Sequence, residues 1–223
     1  MSRDADPPPG LASRARRLSN AARLVHQAVL TAFTATGQPP PAAEVERIIQ
    51  GGGGDPDRVR AELTEADLLA FTTDGEVRAA YPFSPVPTAI RVSWEGGPTV
   101  HAMCAIDALG MSAMLGQSVT ITASEPGTGR AITVTVNAHR AQWTPRSTVV
   151  FSGEAGDAGR PSVDRCCGYI SFFTGTRAAR AWAREHPEIN GEILRRDNAL
   201  RMGIQQFGTL LRPAGGNAVA GDM

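Results

Sequence analysis

Two short stretches of this chain carry the residues best able to do covalent or metal chemistry. In "HAMCAIDALGMSAML", residues 101–115, Cys104 and Asp107 stand at i and i+3, which on a helix puts them on one face about a turn apart. In "RCCGYISFF", residues 165–173, Cys166 and Cys167 are adjacent. A thiol with a carboxyl in reach is a soft nucleophile with somewhere for its proton to go. With Cys104 at the start of the helix, the dipole and free N–H groups lower the thiol pKa, while a carboxylate beside it works the other way. Spacing alone equally allows Cys104 to be a small buried hydrophobe, with Asp107 satisfied elsewhere. His101 lies one turn before Cys104 and is a further candidate ligand, and Met103, Met111 and Met114 read as core filling.

Read as a strand, "CCGYISFF" points adjacent side chains to opposite faces, so only one of its two thiols faces Cys104. Alternation does not say which, a bulge would reverse it, and a disulfide between neighbours would be strained. Three cysteines make an odd number for a disulfide framework. With no Cys-x-x-Cys and four scattered histidines, a zinc site is not expected either.

The elements that would hold these residues follow from periodicity. Residues 1–19 are rich in Pro, Ala, Arg and Asp and read as a disordered tail. Apolar residues recur at helical spacing from Asn20 to Thr36, "AAEVERIIQ" starts a second helix, and "RVRAELTEADLLAF" a third. "FTTDGEVRAAYPF" reads as a hairpin turning at Asp74-Gly75. Three helices and a hairpin predict a winged-helix-like unit over 20–82. From residue 83 to 212, hairpin-linked strands such as "SVTITAS" and "AITVTVN" alternate with helices such as "TRAARAWAREHP" and "NALRMGIQQFGTLL". This predicts an α+β fold with a mixed, largely antiparallel sheet flanked by helices. Residues 213–223 read as a loose C-terminal tail.

Charge removes several function classes. The 223 residues carry a formal net charge of zero, and within 20–82 five arginines face eight or more carboxylates, a poor recognition surface for nucleic acid. No apolar run approaches the ~20 residues that span a bilayer, and the first 20 residues lack a secretory h-region. The expected compartment is the cytoplasm. "GGGGD" follows no strand and lacks the Lys-Ser/Thr of a phosphate loop.

"MCAIDALGMSAMLG" taken with "CCGYISFF" resembles the organomercurial (alkylmercury) lyase family. That family is marked by a Cys-x-x-Asp helix and, about sixty residues on, a cysteine just before a Phe pair. "AYPFSPVPTAIRV" and "FFTGTRAARAWAREHP" also resemble the family, so the likeness covers most of 20–211. Met103 departs from it, standing where the family carries an aromatic residue, as does Gly168–Ser171, where it carries histidines.

The resemblance implies a carbon–mercury bond protonolysed by Cys104, Asp107 and one cysteine of the doublet. The family's four-residue gap before the Phe pair picks Cys167, which leaves Cys166 as a spectator or as a hand-off thiol for released Hg(II). Mercury(II) is soft and prefers thiolates to oxygen ligands. Cys104 and Cys167 would hold it, while Asp107 takes a thiol proton and delivers it to carbon. No cofactor is implied, because the substrate brings its own metal. The implied partners are an organomercurial, small thiols, and mercuric reductase as acceptor of Hg(II), with neither membrane nor nucleic acid. Two other readings use the same residues: a relative acting on a non-mercurial substrate, and a soft-metal sensor that binds DNA.

Overall fold

The structure is a computed structural model that describes residues 10–155, 160–208, 210 and 211. The described residues begin with four helices, α1 (Leu11–Ala15), α2 (Asn20–Thr36), α3 (Ala42–Gly51) and α4 (Pro56–Glu65). Strands β1 (Leu69–Phe71), β2 (Val77–Ala80), β3 (Phe83–Ser84), β4 (Ile90–Ser93) and β5 (Val100–Ala102) lead into α5 (Ala105–Leu115). Then come β6 (Val119–Ser124), β7 (Ala131–Asn137), β8 (Arg140–Thr144) and β9 (Val149–Glu154). A short helix α6 (Ser162–Arg165) and a 3₁₀ turn (Cys167–Tyr169) precede β10 (Ile170–Phe173). The last described elements are α7 (Thr176–Glu185), β11 (Asn190–Leu194) and α8 (Arg196–Phe207).

The fold is α+β. Eight strands form one sheet in the order β1-β2-β3-β5-β4-β6-β7-β8, and three form another, β10-β9-β11. Every pairing is antiparallel. Hairpin strand β2 pairs with β3 through Ala80 and Phe83, and β3 with β5, so the sheet and its core run continuously through residue 82. Glycine serves the β1–β2 turn directly, because Gly75 has φ 81°. Along β6 and β7 alternate residues are buried, and the cross-strand pairs Val119–Val136, Ile121–Val134 and Ala123–Ile132 line one face. Helix α5 lies against this sheet and is covered in turn by α8. The smaller sheet has its own core, where Phe151 packs edge-on against Trp182 of α7 at 5.3 Å.

Several expectations are corrected. Residues 10–19 are not a loose tail: Leu11 and Leu18 are buried in the main core, so apolar contact orders a segment whose composition reads as disordered. Residues 1–9 and 213–223 lie outside the described residues. Strands β3, β5, β8 and β11 were absent from the sequence reading, being short or polar on their exposed face. The doublet is not in a strand, since Cys166 ends α6 and Cys167 opens the 3₁₀ turn. Among the described residues no helix is long and apolar enough to cross a membrane.

The helix that carries Asp107 is fixed by close backbone approach. A Cβ on Gly110 would lie 2.5 Å from the Gly203 carbonyl oxygen of α8, and one on Gly203 would lie 2.7 Å from the Gly110 nitrogen. Alanine ordinarily favours a helix over glycine by about 1 kcal/mol, but here the added methyl meets backbone that cannot swing aside. Gly110→Ala and Gly203→Ala are each expected to lower unfolding free energy by about 1–3 kcal/mol, read from the urea midpoint. Unchanged midpoints would show that α5 and α8 are free to separate.

Candidate active site

Cys104 sits where strand becomes helix. β5 ends at Ala102, the Met103 N–H donates to the Pro82 carbonyl at 3.1 Å, and Cys104 takes the N-cap position of α5 with φ −155°. From there its Sγ accepts the Asp107 N–H at 3.4 Å, as a capping side chain does for an otherwise orphaned donor. The i, i+3 spacing thus brings Asp107 back over Cys104, its carboxyl in hydrogen-bond reach of the thiol. The rest of α5 is buried almost all round, from Ala105 to Ser112, so the carboxyl is enclosed with it.

The doublet arrives from 60 residues later. Cys167 lies in hydrogen-bond reach of Cys104 on one side and of Cys166 on the other. Because the turn is helical, strand alternation does not apply, and both doublet thiols lie beside the cluster. Cys104, Asp107 and Cys167 are only 3%, 5% and 7% exposed, so their chemistry is shielded from bulk water. Cys166 is half-buried, and no disulfide joins any of the three cysteines. Two open surface grooves, of about 710 and 650 Å³, are lined by other residues.

Burial dominates the electrostatics. It pushes the Cys104 thiol up to about 11, against the lowering effects of a hydrogen bond from Cys167 and of the Asp107 N–H. The N-terminal position expected to activate this thiol is therefore outweighed by desolvation. The Asp107 carboxyl rises to about 8, again through burial, and its Oδ2 has no hydrogen-bond partner. Cys166 falls to about 7, chiefly through its hydrogen bond with Cys167. Cys167 is held well above the usual thiol range by its bonds to Cys104 and Cys166. Burial thus favours the protonated forms of Asp107 and Cys104, and among the three thiols the first negative charge is favoured on Cys166.

The remaining candidates fall elsewhere. His101 is on β5, not on the helix, and its Nδ1 meets the backbone of Thr88 at 3.0 Å. Met111 and Met114 are buried core. Among the described residues no group of three or more His, Cys, Asp or Glu is arranged to hold a metal ion; what the site offers is a sulfur pair beside a carboxyl. Tyr81 and Asp67, which the sequence reading passed over, lie close enough to the cluster to act on its charges. Nothing in their spacing marks them, since they precede Cys104 by more than twenty residues.

Comparison with known proteins identifies the same region. A family model described as alkylmercury lyase matches residues 83–208. An alkylmercury lyase of Staphylococcus epidermidis is 29% identical over 174 residues, covering 78% of this chain and 77% of that protein. One of Pseudomonas putida is 36% identical over 109 residues, 48% of this chain and 50% of that protein. A crystal structure of the mercury-bound form of MerB2 superposes with a TM-score of 0.70 at 25% identity, covering 91% of this chain and 98% of that one.

The raised Asp107 pKa has a consequence for stability. Between its ordinary 3.8 and about 8, the folded chain keeps a proton that the unfolded chain has lost. Wild-type stability therefore falls as pH rises through that window. Asp107→Asn keeps the shape and removes the ionisation, so its stability relative to wild type is expected to climb from pH 4 to pH 8 in urea titrations. A difference that stays flat with pH would show that the carboxyl ionises normally.

Proposed function

We propose that this chain, which belongs to the alkylmercury lyase family, cleaves the carbon–mercury bond of R–Hg⁺ with Cys104, Cys167 and Asp107 as its reacting groups. The observation that carries these assignments is the meeting, away from water, of a thiol pair drawn from two distant segments with a carboxyl one helical turn from the first thiol.

The substrate arrives as a small-thiol adduct, R′S–Hg–R. One enzyme thiol exchanges with it, forming a Cys–S–Hg bond and releasing R′SH. The second thiol then binds mercury and loses its proton. As sulfur donates to mercury, the C–Hg electron pair withdraws to carbon, which takes a proton and leaves as R–H. Asp107 suits both proton movements. It stands protonated at neutral pH beside the thiol, so one oxygen can give a proton to carbon while the other takes the thiol's. Mercury remains divalent throughout, and the products are R–H and Hg(II) between two sulfurs. A buried carboxylic acid is the better donor here, because an acid tuned toward the working pH is protonated and still able to transfer.

In this reading no cofactor takes part, the protein works in the cytoplasm, and small thiols or mercuric reductase remove the Hg(II). Cys166, half-buried and favoured as thiolate, suits the hand-off. The winged-helix-like unit over 20–82 acts as a structural part of the enzyme, in keeping with its excess of carboxylates.

Incubation with phenylmercury and excess small thiol should release benzene. Cys104→Ser and Asp107→Ala should each lower the rate by about 10²-fold or more, while a Tyr169 substitution leaves it measurable. Benzene release should also decline as pH rises through about 8, where the Asp107 proton is lost. No benzene from the wild type would overturn the lyase assignment, and full activity in Asp107→Ala would overturn the proton donor.

A further inference from the structure

The two halves of the thiol pair are held in unlike ways. Cys104 joins β5 to α5 as the helix N-cap and is buried in the core. Cys167 follows α6, a helix of four residues. One helical turn is too short to be stable by itself, because it fixes several backbone dihedrals for a single internal bond. Its first N–H groups also have no partner within the helix, and the residue that precedes it, Pro161, has no side chain able to cap them.

Those donors are satisfied from far away. The Ser162 N–H donates to Asp67 Oδ1 at 3.0 Å and its hydroxyl to Asp67 Oδ2 at 2.6 Å. The next N–H, of Val163, donates to the Tyr81 hydroxyl at 2.7 Å. One residue on, Arg78 grips the Asp164 carboxylate with both guanidinium nitrogens, at 2.7 and 2.8 Å, the geometrically specific form of this pair. Three consecutive residues of α6 are thus each fastened by a side chain from the segment 67–81. The fasteners are themselves fixed. Asp67 takes a left-handed φ of 52° while its N–H closes a turn onto Thr64, Arg78 lies in β2, and Tyr81 is 3% exposed. Local bonds complete the frame, with the Ala155 N–H on the Arg165 carbonyl at 2.9 Å.

Building on the lyase assignment above, we propose that Asp67, Arg78 and Tyr81 are positioning residues, a clamp that sets the separation of Cys167 from Cys104 and so the ability of the two sulfurs to share one mercury. The N-terminal unit then takes part in the reaction by geometry. Displacement of a reacting group by an ångström can cost about 10²-fold in rate, and a single helical turn such as α6 offers little resistance of its own to such a shift.

A bifunctional arsenical reads that separation without the reaction. Phenylarsenoxide closes onto two thiols with loss of water, forming two As–S bonds only when both sulfurs are within reach. The parent for this test is the full chain with Cys166→Ser, which leaves Cys104 and Cys167 as the two remaining thiols. Tyr81→Phe removes one oxygen from a buried ring. Asp67→Gly removes the carboxylate while tolerating the left-handed backbone, and Asp67→Asn returns an acceptor. Tyr81→Phe and Asp67→Gly are each expected to weaken phenylarsenoxide binding at least tenfold, and Asp67→Asn to recover most of it. In the chain with all its cysteines, the same variants should lower kcat for phenylmercury at least tenfold with KM changed less than threefold. Arsenical affinity within twofold of the parent in both Tyr81→Phe and Asp67→Gly would overturn the clamp, whatever the activity. Absence of benzene from the wild type would overturn the lyase assignment instead, and the arsenical comparison would still decide the clamp.

Discussion

Keeping the Asp107 carboxyl out of water is the constraint on which the rest of this structure depends. A carboxylate pays a large solvation penalty on burial, so the pKa of the group is pushed well above the usual carboxylate range. That requires a helix covered on every side. The eight-stranded sheet covers one face of α5 and α8 another, brought close enough at Gly110 and Gly203 that no side chain fits between them. β10 approaches as well, carrying in the doublet just upstream of it.

The same burial sets the state of the thiols. Cysteine is a tolerable core residue when neutral and a costly one when charged, and Cys104 follows that rule despite its helix N-terminus. A site whose buried carboxyl and Cys104 thiol are pushed toward their neutral forms has little pull on hard cations or on anions. In the proposed reaction a soft cation takes the place of thiol protons, because mercury–sulfur bonding supplies what desolvation withholds. In that proposal, selectivity for a soft, carbon-bound metal is in part a property of where the sulfurs are buried.

The two segments divide the task unequally. The Cys-x-x-Asp helix is held mainly by packing, whereas the doublet rides on a turn that relies on polar bonds to the N-terminal strands and to the α4–β1 turn. Glu125, buried at the end of β6, extends this arrangement. Its carboxylate accepts the Thr174 N–H at 2.6 Å and the Thr174 hydroxyl at 2.7 Å, tying the end of β10 to the larger sheet. Both sides of the doublet are therefore anchored to elements that precede it in sequence.

Sequence alone determined the broad architecture and singled out Cys104, Asp107 and the doublet as the candidate residues. Helix α5, the β6–β7 hairpin and α8 are legible because a burial pattern of period 3.6 or 2 is local, and the Cys104–Asp107 contact is legible because i, i+3 on a helix is fixed geometry. Only the tertiary structure decided how the doublet sits. Strand alternation was the wrong frame for Cys166 and Cys167, since Tyr81, Arg78 and Asp67 hold that segment as a helical turn through contacts spanning 80 residues or more. Residues 10–19 were misread for the same reason: their order comes from Leu11 and Leu18 packing into a distant core. The protonation of the site was likewise beyond the sequence. Spacing put a helix dipole next to Cys104, but how much water remains around a thiol depends on everything that packs over it, and there burial outweighs the dipole.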